Sequence, residues 1–267
     1  MATESRRLAD MTADALARVV GKRPVILLPL GSHEDHGPHQ PMGDYLLADM
    51  LAVRIADLAA QRNVPAFVAP ALPFGVADYF GSSPGGLALR ADTFRRLLLD
   101  LLDGLIRHDL TNILILNAHG GNVPVIHEVT LAMKRKAGLA IPSFYLWKIA
   151  RQLMEARLGA EALGRFGHGA EPLLSLNLAL RPDMVVAGEA PSRGADLLGL
   201  PVTSFGIVEF KGLSIEAPVE FDQVPCDSIA AAWSRGSAAL GEDVAEALVD
   251  AGAAFVAHIH AHMAAAR

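Results

Sequence analysis

The sequence predicts an α/β fold in which helices cover both faces of a mostly parallel sheet. Short apolar segments typical of buried strands alternate with longer segments whose apolar residues recur every three or four positions. The spacing between successive strands is long enough for the crossover connections that parallel pairing requires. A chain of 267 residues can hold one α/β domain or two. We expect one domain over residues 1–267, a three-layer α/β/α sandwich.

The first predicted strand and helix follow from the spacing of apolar residues. Residues 24–30, PVILLPL, form a continuous apolar run between Gly21 and Gly31, which is typical of a strand buried on both faces. The polar segment after this run ends at Asp44, a residue type that favours the N-cap of a helix. Apolar residues at helical spacing follow: Leu46, Leu47, Met50, Leu51, Ile55 and Leu58.

The same alternation continues along the chain. Residues 65–75 predict a weaker strand, residues 112–117 (NILILN) the clearest strand, and residues 139–147 a further one. Helices are expected in four further segments: residues 94–106, the part of 120–138 after its initial turn, 151–158 and 171–180. Residues 182–228 are rich in Gly and Pro and predict a loop with short strands, and an alanine-rich helix follows.

Composition excludes several classes of partner. The net charge is −6, and the 23 lysines and arginines never cluster beyond pairs, which argues against nucleic acid or an anionic membrane. We expect a small-molecule substrate instead. Cys226 is the only cysteine, so a thiolate zinc site and an intrachain disulfide are excluded. The early residues do not resemble a signal peptide, and no uninterrupted apolar run is long enough to span a membrane. We expect a cytoplasmic protein.

Residues with metal-binding side chains follow two of the predicted strands. Glu34 and His36 lie in GSHEDHG, and their spacing of two places both side chains on the same side of an extended chain. His119 lies in NAHGGN, where two glycines permit a tight turn. Ligands of open parallel sheets bind beyond the carboxyl ends of the strands. The sequence therefore places a candidate site at this edge of the sheet.

Two more carboxylates, from Asp44 and Glu171, complete a candidate ligand set. Three carboxylates and two imidazoles suit Zn²⁺, Mn²⁺ or Fe²⁺. Five ligands exceed the number that one catalytic zinc with an open position takes. Two divalent ions with one shared carboxylate account for all five, and their charge offsets the repulsion among the carboxylates. We expect Zn²⁺ first, with Mn²⁺ or Fe²⁺ as alternatives.

Each of these residues has a simpler explanation when it is taken alone. Asp44 suits a helix N-cap, and Glu171 suits the first turn of a helix, where the macrodipole favours an acid. His119 taken alone is a hydrogen-bonded turn residue, and Asn117 and Asn122 beside it are expected to brace that turn. The metal hypothesis depends on the joint occurrence of these residues at several strand ends.

Three segments resemble the defining blocks of the creatininase (creatinine amidohydrolase) family in order and spacing. They are PLGSHEDHGPHQPMGD, ILILNAHGGN and HGAEPLLSLNLALRPDMV. The resemblance covers about the first two thirds of the chain. It implies a creatininase-like three-layer fold and a dinuclear metal centre that hydrolyses C–N bonds of amides, often cyclic ones. It also implies a homo-oligomer, commonly a hexamer.

The resemblance assigns a role to each candidate residue. One ion would have the ligands Glu34, Asp44 and His119. The other would have the ligands His36, the shared Asp44 and Glu171. His168, in the HGAE element, resembles the family residue that passes a proton to the leaving nitrogen, so His168 and Glu171 are the expected catalytic residues. Two ions polarise a carbonyl and activate water, and a histidine then serves the leaving group.

This chain departs from the family pattern at several places, including Asp35, Leu173 and Leu174, and two departures bear on the metal ligands. Gly43 precedes the bridging aspartate where the family has a threonine, and the preceding interval is one residue shorter, so Asp49 is the alternative to Asp44. Authentic creatininases carry a glutamate where this chain has Gly121, so a further carboxylate has to come from Glu171. We therefore expect a branch distinct from authentic creatininase.

The substrate is expected to be a small amide, cyclic amide or formamide. Other branches of the family act on a formamide of a pyrimidine intermediate or on a short peptide precursor. Tyr79 and Trp147 are the expected substrate contacts, and His39 is expected to support the metal ligands from behind.

Three alternatives to an amidohydrolase stay open. A phosphoesterase would need cations near the site, where the sequence offers Arg165 and Lys148. A catalytically silent metal-binding protein on the same fold would keep the ligands without turnover. A ligand-binding module would lack the metal.

Overall fold

The computed structural model describes residues 5–186, 194, 196–225 and 233–265. Its central sheet contains four parallel strands in the order β2-β1-β3-β4. The strands are β1 (Val25–Leu30), β2 (Ala66–Val68), β3 (Asn112–Asn117) and β4 (Ser143–Tyr145). Every residue of β1 and β3 is buried, as their uninterrupted apolar sequences predict. The expected parallel sheet is confirmed.

Seven α-helices surround this sheet in the described part of the chain. They are α1 (Ala13–Val20), α2 (Tyr45–Gln61), α3 (Ala91–Arg107), α4 (Val123–Ala137), α5 (Leu146–Leu158), α6 (Leu173–Leu180) and α7 (Ala238–Ala265). Val25 and Leu27 of β1 pack in one core with α2, α5, α6 and α7. Ile26 and Leu28 point the other way, into a second core with α1, α3 and α4. The α/β/α sandwich is confirmed.

The long helix α7 belongs to the first of these cores. By length and composition alone, Ala238–His262 could cross a membrane, and 39% of its most apolar window is buried inside the protein. A side chain at Gly252 would meet Ile55 Cδ1 at 2.5 Å, so the glycine lets α7 approach α2 closely. One face of α7 therefore packs against the sandwich.

A second, antiparallel sheet forms where the sequence predicts loop and short strands. It contains β5 (Asp196–Leu197), β6 (Leu200–Ser204), β7 (Ile207–Phe210) and β8 (Leu213–Glu216), in chain order. Lys211 and Gly212 between β7 and β8 both have positive φ, the arrangement of a tight hairpin turn. The predicted segment 182–228 is only partly covered, because 187–193, 195 and 226–228, with Cys226, lie outside the described residues.

The predicted boundary between β4 and α5 is wrong by several residues. The expected strand at 139–147 is reduced to three residues, and α5 begins at Leu146 rather than Arg151. β4 is an edge strand that pairs only with β3. Leu146 is fully buried in the first core. It is apolar because it packs at the start of α5, and not because the strand is longer.

Candidate metal centre and active-site cavity

A cavity of about 530 Å³ opens at the carboxyl ends of the parallel strands. The loops after β1, β3 and β4 meet here because parallel strands end at the same edge of a sheet. Most of the predicted site residues line it: Glu34, His36, His119, Trp147, His168 and Glu171. The topology therefore brings together side chains that are up to 137 positions apart in the sequence.

Glu34 lies between two imidazoles at the buried end of this cavity. Its Oε1 is 3.2 Å from Nε2 of His36 and 3.1 Å from Nδ1 of His119. Oδ2 of Asp44 is 3.9 and 3.8 Å from the same two nitrogens. All four residues are buried. Four potential ligand atoms thus face one another without an arginine or lysine among them.

Main-chain carbonyls fix the tautomers of the two histidines. Nδ1 of His36 lies 3.0 Å from the carbonyl oxygen of Pro41, and Nε2 of His119 lies 2.7 Å from that of Val76. A carbonyl oxygen only accepts, so each of these nitrogens carries a proton and donates it. The other nitrogen of each ring faces the carboxylates, which is how proteins orient a metal-binding histidine.

The crowding of ionisable groups shifts their pKa values in opposite directions. Burial disfavours ionisation of Glu34, but hydrogen bonds from His119 and His36 outweigh it and lower the pKa of Glu34. Burial and the charge of Glu34 raise the pKa of Asp44. Burial opposes protonation of His119, yet its hydrogen bond to Glu34 raises the pKa to about 9. The raised pKa values of Asp44 and His119 mean that the cluster retains protons, which offset the negative charge of its carboxylates.

Asp44 occupies the N-cap position of α2 but does not cap the helix with its side chain. Its carboxylate instead accepts two hydrogen bonds from Ser32 and faces the histidines. The alternative ligand, Asp49, forms a bidentate ion pair with Arg7 at 2.5 and 2.6 Å. The geometry therefore favours Asp44 over Asp49.

Two groups of described residues have ligand atoms within 4.8 Å of one another. One contains Glu34, Asp44 and His119, the set expected for the first ion. The other contains Glu34, His36 and His168, whereas the sequence analysis expected His36, Asp44 and Glu171.

Glu171 is absent from both groups because its carboxylate is engaged elsewhere. Its Oε2 and Oε1 accept from the main-chain nitrogen and hydroxyl of Ser175, at 3.1 and 2.5 Å, one turn along α6. Glu171 still lines the cavity, and burial raises its pKa. The structure therefore brings Glu171 to the cavity but pairs its carboxylate with Ser175, and its role as a ligand stays a prediction.

His168 is enclosed by aromatic rings beside the cluster. Its Nε2 donates to the carbonyl oxygen of Asp35, and its ring stacks on Phe80 at 4.6 Å and on His36 at 5.1 Å between centroids. Phe205, in the β6–β7 turn, contacts the ring at 5.1 Å. Burial, followed by the charge of His36, lowers the pKa of His168 to about 4. The second sheet therefore contributes to the cavity wall, which the sequence analysis missed.

Hydrogen bonds from two asparagines stabilise the turn that carries His119. Asn117 accepts from the main-chain nitrogen of His119 and donates to its carbonyl oxygen. Asn122 donates to the carbonyl oxygen of Gly31 and accepts from the main-chain nitrogen of Val76. These hydrogen bonds tie the loop after β3 to the chain after β1, and they are the bracing contacts expected for both asparagines.

The remaining predicted residues lie in different surroundings. Tyr79, whose exposed fraction is 49%, lines the mouth of the cavity together with Trp147. His39 packs edge-on against Trp233 at 5.4 Å, and its Nδ1 lies 3.3 Å from the carbonyl oxygen of Val186. The loop at 37–41 thus places His39 against Trp233, and its expected support of the metal ligands stays a prediction.

A family model described as creatininase, creatinine amidohydrolase, matches residues 9–256. The chain belongs to the creatininase family. The resemblance inferred from the three sequence blocks is thereby confirmed, and the blocks are part of a match over most of the chain. The family consists of hydrolases, which agrees with a cavity lined by acidic and imidazole side chains.

Two curated relatives of this creatininase-family chain have different activities. The creatinine amidohydrolase of Pseudomonas putida is 30% identical over 188 residues, which are 63% of this chain and 69% of that protein. The mycofactocin precursor peptide peptidase of Mycolicibacterium smegmatis is 30% identical over 117 residues, 43% of this chain and 47% of the peptidase. This chain thus spans about half the length of the peptidase. The relatives include both an amidohydrolase and a peptidase.

Solved creatininase structures share the fold. One creatininase superposes with a TM-score of 0.75 and 24% identity, covering 96% of this chain and 98% of the other. Two further creatininases, one described as Zn-Zn type and one as the manganese form, have TM-scores of 0.73 and 0.72 at 24% and 23% identity. Zinc and manganese are thus the metals named for two solved structures with this fold.

The centre of this creatininase-family chain has the chemistry of a site for divalent cations. Oε2 of Glu34 is buried and has no hydrogen-bond partner among the described residues. An unsatisfied buried carboxylate oxygen is costly unless a cation or donor reaches it. Mixed carboxylate and imidazole donors suit Zn²⁺ and Mn²⁺. The residues present therefore fit a metal centre.

Proposed function

We propose that this protein is an amidohydrolase that cleaves a C–N bond of a small amide, cyclic amide or formamide with the help of two divalent ions. The observation that carries the proposal is the position of Glu34, which contacts His36 and His119 through one oxygen and leaves the other without a partner. Bound cations would balance the negative charge of this site, and they would give the second oxygen of Glu34 a partner.

We assign the ligands by combining the geometry with the family motif. Glu34, Asp44 and His119 would hold one ion, and His36, Asp44 and Glu171 the other, with zinc as the first expectation. Bound there, the ions would polarise the substrate carbonyl and lower the pKa of water. For Glu171 to act as a ligand, its carboxylate has to give up its hydrogen bonds with Ser175.

His168 is the residue that we assign to the leaving nitrogen. Its Nε2 is committed to the carbonyl oxygen of Asp35, which holds the ring in one orientation. Nδ1 is then the ring nitrogen that can take a proton and give it to the amine that departs. Phe80 and Phe205 pack against the imidazole of His168, which is partly buried. The carboxylate of Glu34, in turn, contacts His36 and His119 beside this ring.

The proposal is tested by elemental analysis of gently purified protein. About two ions per chain are expected in the wild type, and Asp44→Asn should lose them because Asp44 contacts both imidazoles. Asp49→Asn is the matched control, since the same change is made five residues away at a carboxylate paired with Arg7. Loaded protein is then assayed against amides, cyclic amides, formamides and short peptides. Absence of metal that added zinc or manganese does not restore would refute the proposal.

A peptidase acting on a short peptide is the second candidate, and it is favoured by the two curated peptidase relatives. It is distinguished by release of a terminal amino acid from peptides in the same assay panel. Retained ions without turnover of any substrate would instead indicate a catalytically silent metal-binding protein. The homo-oligomer, the cytoplasmic location and the lack of nucleic-acid and membrane partners stay predictions.

A further inference from the structure

Two cationic side chains line the same cavity as the acidic cluster. Lys148 and Arg151 both belong to the first two turns of α5, which begins directly after β4. Residues three apart on a helix project to the same side. One wall of the cavity is therefore basic, although the protein as a whole carries a net charge of −6.

Arg151 is held in place by two neighbours. Its guanidinium carbon lies 4.7 Å from the ring centroid of Phe166, and its Nε is 2.8 Å from Oε1 of Glu155. A guanidinium has five N–H donors, so the contact through Nε leaves the terminal nitrogens able to donate further. Phe166 lines the cavity and shares a backbone bridge with Glu171. Arg151, although exposed, thus lies beside the segment that carries His168 and Glu171.

Lys148 has no ion-pair partner among the residues that the structure describes. It lies in the first turn of α5, which contains no acidic residue. Lys148 is exposed, and the partial positive charge at the amino end of the helix adds to its attraction for an anion. Neither the helix nor a described side chain supplies that anion. A bound molecule that enters the cavity can.

We infer that the substrate carries an oxyanion, a carboxylate or a phosphate, that Lys148 and Arg151 bind while its scissile amide lies at the acidic end of the cavity. The inference rests on the proposed amidohydrolase function and specifies its substrate class. Lysine and the arginine fork are the side chains that bind such groups most strongly. A neutral amide would leave Lys148 unpaired and would gain nothing from this wall. The cavity volume of about 530 Å³ is in the range of small-molecule sites.

The test measures binding to zinc-loaded protein by calorimetry, with matched pairs of probes. Succinamic acid is compared with succinamide, and 3-phosphonopropanamide with its neutral dimethyl ester. At least one anionic probe is expected to bind about 10-fold more tightly than its neutral partner. The pair that shows the difference identifies carboxylate or phosphate as the recognised group. In Lys148→Gln and in Arg151→Gln the difference should fall to about 3-fold or less.

Lys136→Gln is the control, because it removes the same charge from an exposed position in the last turn of α4, outside the cavity. Metal content is measured in every variant, so that an effect on the ions is separated from an effect on the anion. Equal affinity within both pairs, or a preference that survives Lys148→Gln and Arg151→Gln, would overturn the inference. A preference without hydrolysis of any amide would count against the hydrolase alone, and hydrolysis without a preference against this inference alone.

Discussion

Ser32 donates two hydrogen bonds to Asp44, one from its main-chain nitrogen to Oδ1 at 2.5 Å and one from its hydroxyl to Oδ2 at 2.9 Å. Both residues are buried. The serine thereby holds the carboxylate that faces His36 and His119. Contacts of this kind fix the orientation of a ligand and tune its affinity for metal.

Removing the Ser32 hydroxyl should weaken metal binding without unfolding the protein. Ser32→Ala keeps the main-chain hydrogen bond but frees Oδ2 of Asp44, so zinc affinity is expected to fall about 10- to 100-fold. Competition with a chromophoric chelator measures the affinity. Thr130→Ala is the control, since that hydroxyl bonds only within α4. Unchanged zinc affinity in Ser32→Ala would remove Ser32 from the metal centre.

A side chain at Gly121 is expected to reduce both metal binding and the stability of the protein. A Cβ there would collide with the carbonyl oxygen of Val76 and lie 2.6 Å from Nε2 of His119, the two atoms that share a hydrogen bond. Gly121→Ala should lower the free energy of unfolding by about 1–3 kcal/mol and reduce zinc content.

Gly104→Ala provides the matched comparison. Gly104 lies within α3, where an added Cβ meets nothing within 4 Å. Alanine is the better helix former, so this variant should gain about 0.5–1 kcal/mol in urea denaturation while its zinc content stays the same. A Gly121→Ala protein as stable and as metal-rich as Gly104→Ala would show that the turn after β3 tolerates a side chain.

The parallel sheet and most of the site were predictable because the signals are local. The apolar sequences of β1 and β3 specify strands buried on both faces, and parallel strands bring Glu34, His36 and His119 to one edge. The chemistry of those residue types then indicates a metal. Each of these steps uses only neighbouring positions or the general geometry of parallel sheets.

Several supporting contacts were not predictable because they depend on where elements begin and on how they pack together. Phe205 reaches His168 through a hairpin whose strands are only five and four residues long, too short for a clear periodic signal. Ser175 bonds Glu171 only because a helix begins between them. His39 lies beside Glu34 in sequence but turns to Trp233, a residue almost 200 positions away.

His168 should affect turnover and leave the metals in place. Once a substrate has been found, His168→Asn is expected to lower kcat about 10²- to 10⁴-fold, because the leaving nitrogen loses its proton donor, while the content of ions stays near the wild-type value. Steady-state kinetics and elemental analysis of the same preparation check both. Phe80→Leu, which alters the packing around the His168 ring but keeps the imidazole, should lower kcat less. Loss of an ion in His168→Asn would instead make His168 a ligand, as its grouping with Glu34 and His36 allows.

The metal content of a Glu171 variant tests whether Glu171 binds the second ion. If Glu171 leaves Ser175 to join His36 and Asp44, Glu171→Gln should reduce the metal content from about two ions to about one per chain. Asp44→Asn, which removes the shared ligand, should lose both. Elemental analysis after dialysis against the same zinc buffer measures all three proteins. Glu155→Gln is the control, since it alters an exposed glutamate on α5 that pairs with Arg151.

The opposite result has a definite structural meaning. If Glu171→Gln retains both ions and His168→Asn loses one, the second ion is held by Glu34, His36 and His168, the group that the structure places together. Glu171 would then stay with Ser175, and its role would be to fix the start of α6. In that case His168 could not serve the leaving nitrogen while it binds an ion, because Nε2 is committed to Asp35 and only Nδ1 remains. The metal content of these two variants therefore decides the second ligand set and the proton donor together.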